Sequence, residues 1–496
     1  MSITEISEHP NLLFIMTDQE RYTRHFPPHW EEENLPNMQR LKENGVSFTN
    51  AFTCASMCSP SRTAIFTGRY PSQTGVTKTL GVGERDDPNE YDPTDIELSP
   101  KIPNLATMLH KSGKYGKISY LGKWHMSKGF DDVQELLPRQ IASYGFSGWV
   151  PPDGGQDWQI TNIAGGYFDK DHAYTLEAIS FIHERAKERH KKPWCLVLSL
   201  INPHDIWTYP KNFHQTGYKN DMLIGDIDRL PETIDESFVS KPLAQPEIKY
   251  VQDNIVGELD TREKQLEYLN FYGNLLKLVD KQIGKVLDAL EDTGLDKSTV
   301  IVRTADHGEM GLAHGGLRQK MFNVYEETIN IPLIISPTSV RPGRTSDHLI
   351  STIDLIPTIA GLLHIDPPKG IRGKDLSPII NGEQLDDART EVLFTFDDYR
   401  VEANRPSAVA AANRIRCVRT KEWKYARYFH GDSSYKEEYE MYDLVHDPQE
   451  TDNLAWPENP RYHDKHIVEK RNELKALLDR LEETELPRSI NDHVVS

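Results

Sequence analysis

The chain has 496 residues, with 57 Lys and Arg against 76 Asp and Glu, a formal net charge of −19. That acidity argues against a nucleic-acid binder, which neutralises phosphates with clustered Lys and Arg, yet it leaves room for a locally basic pocket that takes a small anion. With 37% hydrophobic and 9% aromatic residues a substantial core is expected, and at roughly 100–200 residues per domain the length fits one large α/β domain with an appendage, or two to four domains.

The N-terminus carries Glu5 and Glu8 ahead of a short apolar run, without the basic start and long apolar centre of a secretory signal. No segment reaches the ~18 consecutive apolar residues of a membrane helix. A cytoplasmic protein that does not engage a membrane is the expectation. Residues 12–16 then read as a buried strand, and similar apolar runs lie at 194–200, 299–304 and 331–335. Between and after them come amphipathic stretches at 172–189, 263–290 and 354–363. Strands alternating with helices predict an α/β fold, a mostly parallel sheet flanked by helices on both faces. Stretches rich in Gly, Pro and Asp at 81–99, 138–166 and 209–260 are expected to be long irregular loops of functional use. Composition shifts near 376–387, after which 391–396, 415–419 and 423–428 alternate like strands, and a charged helix is expected at 466–485. These predict a smaller C-terminal α+β subdomain with an antiparallel sheet. The boundary is placed near residue 380, giving a catalytic domain over 1–380 and a subdomain over 381–496.

Chemistry-bearing residues gather at the ends of the predicted strands. Asp18 and Gln19 follow the first, and Asp306 and His307 follow the strand at 299–304. Ligands bind open α/β sheets outside the carboxyl ends of their strands, so the two carboxylates can converge on one cation. The plainer alternative is that each caps a helix or closes a turn. The loop after Asp306 is crowded, with Glu309, His314 and Lys320 close behind; His314 either lines the pocket or buttresses the loop.

Four cysteines are too few for a disulfide framework, and Cys54 and Cys58 have no partner pair to complete a structural zinc site. Cys58 opens the segment Cys58-Ser59-Pro60-Ser61-Arg62, which leads on to Thr67-Gly68-Arg69. Locally this reads as a helix start, with Ser59 as the cap, Pro60 in the first helical position and Gly68 as terminator. Cys58 then sits at the positive end of the helix, with Arg62 one turn in on the same side. A buried structural cysteine and a thiolate nucleophile are both open readings. Both sit badly beside Asp18, Gln19 and Asp306, because hard oxygen groups suit Ca²⁺ or Mg²⁺ whereas a thiolate suits softer metals.

The Cys-Ser-Pro-Ser-Arg run followed by Thr-Gly-Arg resembles the signature of type I sulfatases in the alkaline phosphatase superfamily. Other stretches match in order: Thr17-Asp18-Gln19, Gly122-Lys123-Trp124-His125, Asn202-Pro203-His204 and Asp306-His307-Gly308, then Lys320. The resemblance covers most of residues 10–380. It implies an alkaline-phosphatase-like fold and oxidation of Cys58 to formylglycine by a formylglycine-generating enzyme. It further implies one divalent cation, Ca²⁺ before Mg²⁺ or Mn²⁺, held by Asp18, Gln19, residue 58, Asp306 and His307. The hydrated aldehyde would attack a sulfate monoester, helped by Arg62. Lys123 and Lys320 would neutralise sulfate oxygens, His204 would protonate the leaving oxygen, and His125 would take a proton from the remaining hydroxyl. Two departures from the commoner pattern stand out: Gln19 in place of a second Asp, and His307 in place of Asn. Alternative expectations are a phosphonate monoester or phosphodiester hydrolase of the same superfamily, a degenerate binding scaffold, and a cysteine hydrolase using Cys58 with His125 or His204. Trp149, Trp158 and Trp207 are candidate substrate platforms or loop packing. The sequence leaves the sulfated alcohol unnamed and homo-oligomerisation open.

Overall fold

The computed structural model describes residues 9–23, 26–80, 95–129, 136–151, 153–154, 170–188, 192–338, 343–383, 385, 388–397, 412–431 and 435–486. In chain order its strands are β1 (Asn11–Asp18), β2 (Val46–Phe48), β3 (Ala51–Phe52), β4 (Ile118–Gly122), β5 (Cys195–Pro203), β6 (Thr299–Ala305), β7 (Leu333–Ser336), β8 (Arg344–Ser346), β9 (Ile350–Ser351), β10 (Glu391–Phe396), β11 (Arg414–Thr420), β12 (Trp423–Phe429) and β13 (Glu438–Asp443).

Seven strands form the main sheet in the order β4-β5-β1-β6-β7-β2-β8. Neighbours from β4 to β6 pair in parallel, and β7 runs against both β6 and β2. Side chains alternate along β1: Leu12, Phe14 and Met16 enter one core with Ile65 and Phe66, whereas Leu13 and Ile15 enter another with Tyr174, Leu269 and Tyr272. A strand buried on both faces explains why residues 12–16 carry no polar alternation. Full burial of each large apolar side chain here contributes roughly 1.5–3 kcal/mol. Helices Lys170–Lys187 and Arg262–Thr293 cover one face, and helices Cys58–Thr67 and Leu355–Leu362 cover the other.

The mostly parallel α/β sheet and the antiparallel C-terminal sheet expected from the sequence are both present. The smaller sheet runs β10-β11-β12-β13, antiparallel throughout. One of its faces packs on Met321, Phe322 and Tyr325, and the other on Ile467, Leu474, Leu478 and Leu481 of helix Lys465–Glu485. Strand β13 was not foreseen; its sequence, Glu-Tyr-Glu-Met-Tyr-Asp, carries three acids, and one of them, Glu440, is fully buried. Two expected loops differ as well. The 209–260 stretch holds several 3₁₀ turns and a regular helix, Ala244–Val256, which buries Ile248 and Val251. The 138–166 stretch opens with helix Pro138–Ser143. Among the described residues no helix is long and apolar enough to cross a membrane.

Candidate active site

The sheet itself brings the site together. Asp18 at the end of β1 lies opposite Pro203 of β5, and Thr17 lies opposite Ala305 of β6. Four adjacent parallel strands thus end at one edge and deliver Asp18, Asp306 with His307, His204, and Lys123 with His125. Two glycines are required there. Gly122 has φ +96°, and a Cβ on it would lie 1.9 Å from Ser199 O; a Cβ on Gly308 would lie 2.0 Å from Glu327 O. Each lets the chain turn hard against a neighbouring backbone.

Helix Cys58–Thr67 enters this edge with its N-terminus. It starts at Cys58, two residues earlier than the sequence suggested. Ser59 is therefore not the cap: the preceding residue, Met57, makes no side-chain cap bond, and Ser59 Oγ accepts from Leu80 N at 3.0 Å. Gly68 does end the helix, in the left-handed region. Ser61 Oγ donates to Asp306 O at 2.6 Å and ties the helix to β6.

Cys58 Sγ lies 3.2 Å from His307 Nε2, 3.7 Å from Asp18 Oδ1 and 3.9 Å from Lys123 Nζ. One ligand atom each from Asp18, Cys58, Asp306 and His307 falls within 4.8 Å of all the others, and all four residues are buried. Arg62 sits behind them: Nε meets Asp306 Oδ2 at 2.9 Å, Nη2 meets Asp18 Oδ2 at 2.9 Å, and Nη1 donates to Lys123 O and Ser199 Oγ at 2.8 Å. Lys123 Nζ is 2.7 Å from Asp18 Oδ2. Lys320 Nζ donates to Gln19 Oε1 at 2.7 Å. Asp18, Gln19, Cys58, Arg62, Lys123, Asp306, His307 and Lys320 therefore converge.

The electrostatics show what the cluster lacks. Burial works against the charge on Asp18, but Lys123, His204, Arg62 and His307 hold its carboxyl well below the usual range. Burial and the charge of Asp18 push Asp306 up to about 6. Burial and Asp18 also oppose a Cys58 thiolate, yet Lys123, Lys320 and His307 bring that thiol well below its ordinary value. Burial disfavours a charged His307, but Asp306 and Cys58 raise it. His307 Nδ1 is 3.1 Å from Gly308 O, so Nδ1 carries the hydrogen and Nε2 faces the cluster. Two carboxylates, an inward imidazole nitrogen and a polarised residue 58 form a donor set that fits a divalent cation.

Two histidines keep a nitrogen in reserve. His125 Nε2 is 2.9 Å from Leu80 O, and its Nδ1 has no partner among the described residues; nor has Nδ1 of His204. Buried polar atoms are seldom left so, which marks both as groups completed by a ligand or water. Burial, together with Lys123, pushes His204 down to about 4, so its imidazole is neutral at neutral pH.

Two positioning carboxylates had no sequence signal. Asp153 accepts from the backbone N–H of Trp124 (2.7 Å) and His125 (2.8 Å), and Asp171 accepts from Ile201 (2.7 Å) and Asn202 (2.9 Å). They clamp the turns that carry His125 and His204. His314 is not part of the cluster; it stacks on Tyr325 with ring centroids 3.6 Å apart. Trp149 is core packing, its Nε1 donating to Gly122 O. Trp207 is half-buried, its ring 6.4 Å from that of His204, and Trp158 lies outside the described residues.

Comparison with known proteins finds relatives over most of the chain. A choline-sulfatase of Rhizobium meliloti (strain 1021) is 28% identical over 479 residues, covering 91% of this chain and 83% of its own. Among solved structures, a 2-O GAG sulfatase matches with a TM-score of 0.69 at 22% identity over 95% of this chain and 92% of its own. A phosphonate monoester hydrolase from Silicibacter pomeroyi matches with a TM-score of 0.71 at 20% identity over 97% of both chains. A model of the C-terminal region of N-sulphoglucosamine sulphohydrolase matches residues 314–484. The sulfatase family model matches residues 10–365, a span that takes in every strand end feeding the Cys58 cluster, and on that ground the chain belongs to the sulfatase family and is a sulfuric ester hydrolase.

Proposed function

We propose that the enzyme hydrolyses a sulfate monoester with residue 58 as its nucleophile, after Cys58 has been oxidised to formylglycine by a formylglycine-generating enzyme. The observation that carries this is the position of Cys58 Sγ among Asp18, Asp306 and His307, backed by Lys123 and Arg62. Oxygen at position 58 would complete a hard donor set, whereas sulfur does not. One Ca²⁺ is the cation proposed, with Mg²⁺ or Mn²⁺ as the alternatives that metal analysis would reveal. Asp18, Asp306, His307 and the oxygen of residue 58 would hold it, with Gln19 at the edge. Such an ion supplies Lewis-acid polarisation of a sulfate oxygen and of the nucleophile.

The remaining work falls to the side chains. Arg62 links Asp18 to Asp306 and fixes both carboxylates. Lys123 and Lys320 stand near Cys58 as point charges for sulfate oxygens. His204 would protonate the leaving oxygen; it is neutral in the free site, so a bound anionic ester is needed to draw in its proton. His125 donates Nε2–H to Leu80 O, which leaves Nδ1 as an acceptor, and it would take the proton of the residue 58 hydroxyl. Acid–base help of this kind contributes roughly 10²–10⁴-fold.

Parallel assays with nitrophenyl sulfate and a phenylphosphonate ester test the proposal, and turnover favouring sulfur is expected. The second reading, a phosphonate monoester hydrolase, draws on His307 in the cluster and on the structural likeness to such an enzyme. Faster turnover of the phosphorus ester would establish it instead. Intact-mass measurement of matured protein is expected to show a carbonyl in place of the Cys58 thiol, and an unmodified thiol in active enzyme would refute the nucleophile.

A further inference from the structure

The imidazole of His125 is held by a short chain of bonds that begins beside residue 58. His125 is buried, and its backbone lies in the left-handed region at φ +52°. Asp153 fixes that backbone through the N–H groups of Trp124 and His125. A main-chain clamp leaves the ring free to turn about its own side-chain bonds. Among the described residues the ring makes one hydrogen bond, between Nε2 and Leu80 O at 2.9 Å. A carbonyl only accepts, so this bond places the hydrogen on Nε2 and, in the neutral ring, leaves Nδ1 its lone pair.

Leu80 is anchored in turn by Ser59. Its N–H donates to Ser59 Oγ at 3.0 Å, and both residues are buried. The hydroxyl that the sequence offers as a helix cap is thus used across the site instead. Ser59 directly follows Cys58 at the start of helix Cys58–Thr67, and Ser61 Oγ ties that helix to Asp306 O. His125 follows β4, two places from β1 in the sheet, so strand pairing alone does not register its ring against the helix. The links from Ser59 to Leu80 and from Leu80 to His125 do.

We infer that Ser59 is a positioning residue for His125: its hydroxyl anchors Leu80, whose carbonyl holds the imidazole with Nδ1 turned out as the proton acceptor. This rests on the proposed role of His125 toward the residue 58 hydroxyl.

The test compares the wild type with Ser59→Ala, Ser59→Thr and His125→Ala, with rates counted per aldehyde by intact mass so that incomplete maturation does not enter. With a nitrophenyl sulfate, nitrophenol leaves before His125 takes its proton. A failing histidine step therefore releases about one nitrophenol per site quickly and then turns over slowly. Ser59→Ala strands the buried Leu80 N–H. Rapid mixing should show that burst, with a steady rate at least about tenfold below wild type, part of what acid–base help supplies. His125→Ala should show the same pattern, and Ser59→Thr, which keeps the hydroxyl, should restore the wild-type rate. A merely structural role would lower burst and steady rate together. Crystals of the unmatured proteins give a second readout that needs no aldehyde: Leu80 O should be withdrawn from Nε2 in Ser59→Ala and in place in Ser59→Thr. Ser59→Ala that keeps the Nε2 contact, or the wild-type steady rate, overturns the inference. If Ser59→Ala does not accumulate as folded protein, Ser59→Gly, which also lacks the hydroxyl, decides by the same criteria. A wild-type steady rate in His125→Ala breaks the functional reading of that histidine first and this inference with it.

Discussion

Among the described residues two buried clusters of similar composition stand out, and one of them is built for a cation. Around Cys58, the ligand atoms of Asp18, Asp306 and His307 point at one another, with Arg62 and Lys123 behind or beside them. At the seam with the C-terminal sheet, His314, Glu327 and Glu450 also bring their ligand atoms within 4.8 Å. There, however, ammonium and guanidinium groups lie against the acids. Lys424 Nζ is 3.0 Å from Glu326 and 2.5 Å from Glu450, Lys241 is 2.9 Å from Glu236, and Arg419 is 3.2 Å from Glu326. A buried charge must be paired or coordinated. The seam pairs its acids with its own cations, which locks the subdomain to the catalytic sheet. The site spends its cations on the outer oxygens and leaves an inward-facing donor set. Residue types near one another therefore do not make a metal site; what decides is whether protein cations already stand among them.

The comparison can be broken in several places. The largest effect is expected from Cys58→Ala, which should lower kcat with an aryl sulfate by at least about 10⁴-fold while the far-UV spectrum and melting temperature stay near wild type. Persistent turnover would remove residue 58 from the chemistry. Next comes Lys424→Met at the seam. It strands Glu326 and Glu450 without their ammonium, and breaking a buried pair costs about 3–5 kcal/mol. Denaturant unfolding should show that loss, with kcat of the remaining folded fraction unchanged; an unaltered midpoint would mean the seam is not held by charge. Asp306→Asn should lower divalent-cation affinity by roughly 100-fold, the upper end of what losing a supporting partner costs at metal sites, as read by equilibrium dialysis. If cation binding is unchanged, the inward donor set is misassigned.

The end of a buried strand is visible in sequence, which made Asp18 and Asp306 legible from the residues themselves; Cys58 and Arg62 were legible as a helix start, and Lys123, His125 and Lys320 only through the resemblance. Asp18 after β1 and Asp306 after β6 are the clearest cases. What stayed hidden acts through the backbone. Asp153 and Asp171 accept from main-chain N–H groups about thirty residues away, and nothing in the side chains of Trp124 or Ile201 signals such a partner. Helix Ala244–Val256 was masked by its irregular surroundings, and β13 by the charges that an edge strand tolerates.

The smallest expected effect tests the seam by pH. Burial disfavours a charged His314, but hydrogen bonds to Glu236 and Glu327 raise it above its ordinary 6.5, with Lys241 nearby acting in the opposite sense. Its Nδ1 is 2.7 Å from Glu236 Oε2, and its Nε2 is 3.7 Å from Glu327 Oε2. A group whose folded value lies above its unfolded value binds its proton more tightly in the folded state. Its contribution is therefore complete below the unfolded value and is lost as pH rises through the folded one. Unfolding free energy measured upward from about pH 6 should thus contain a decline that His314→Gln flattens, smaller than the loss from Lys424→Met because Tyr325 still packs against the ring position. A His314→Gln profile parallel to wild type across that window would show that the imidazole is already neutral, and that the acids of the seam are balanced by Lys241, Arg419 and Lys424 alone.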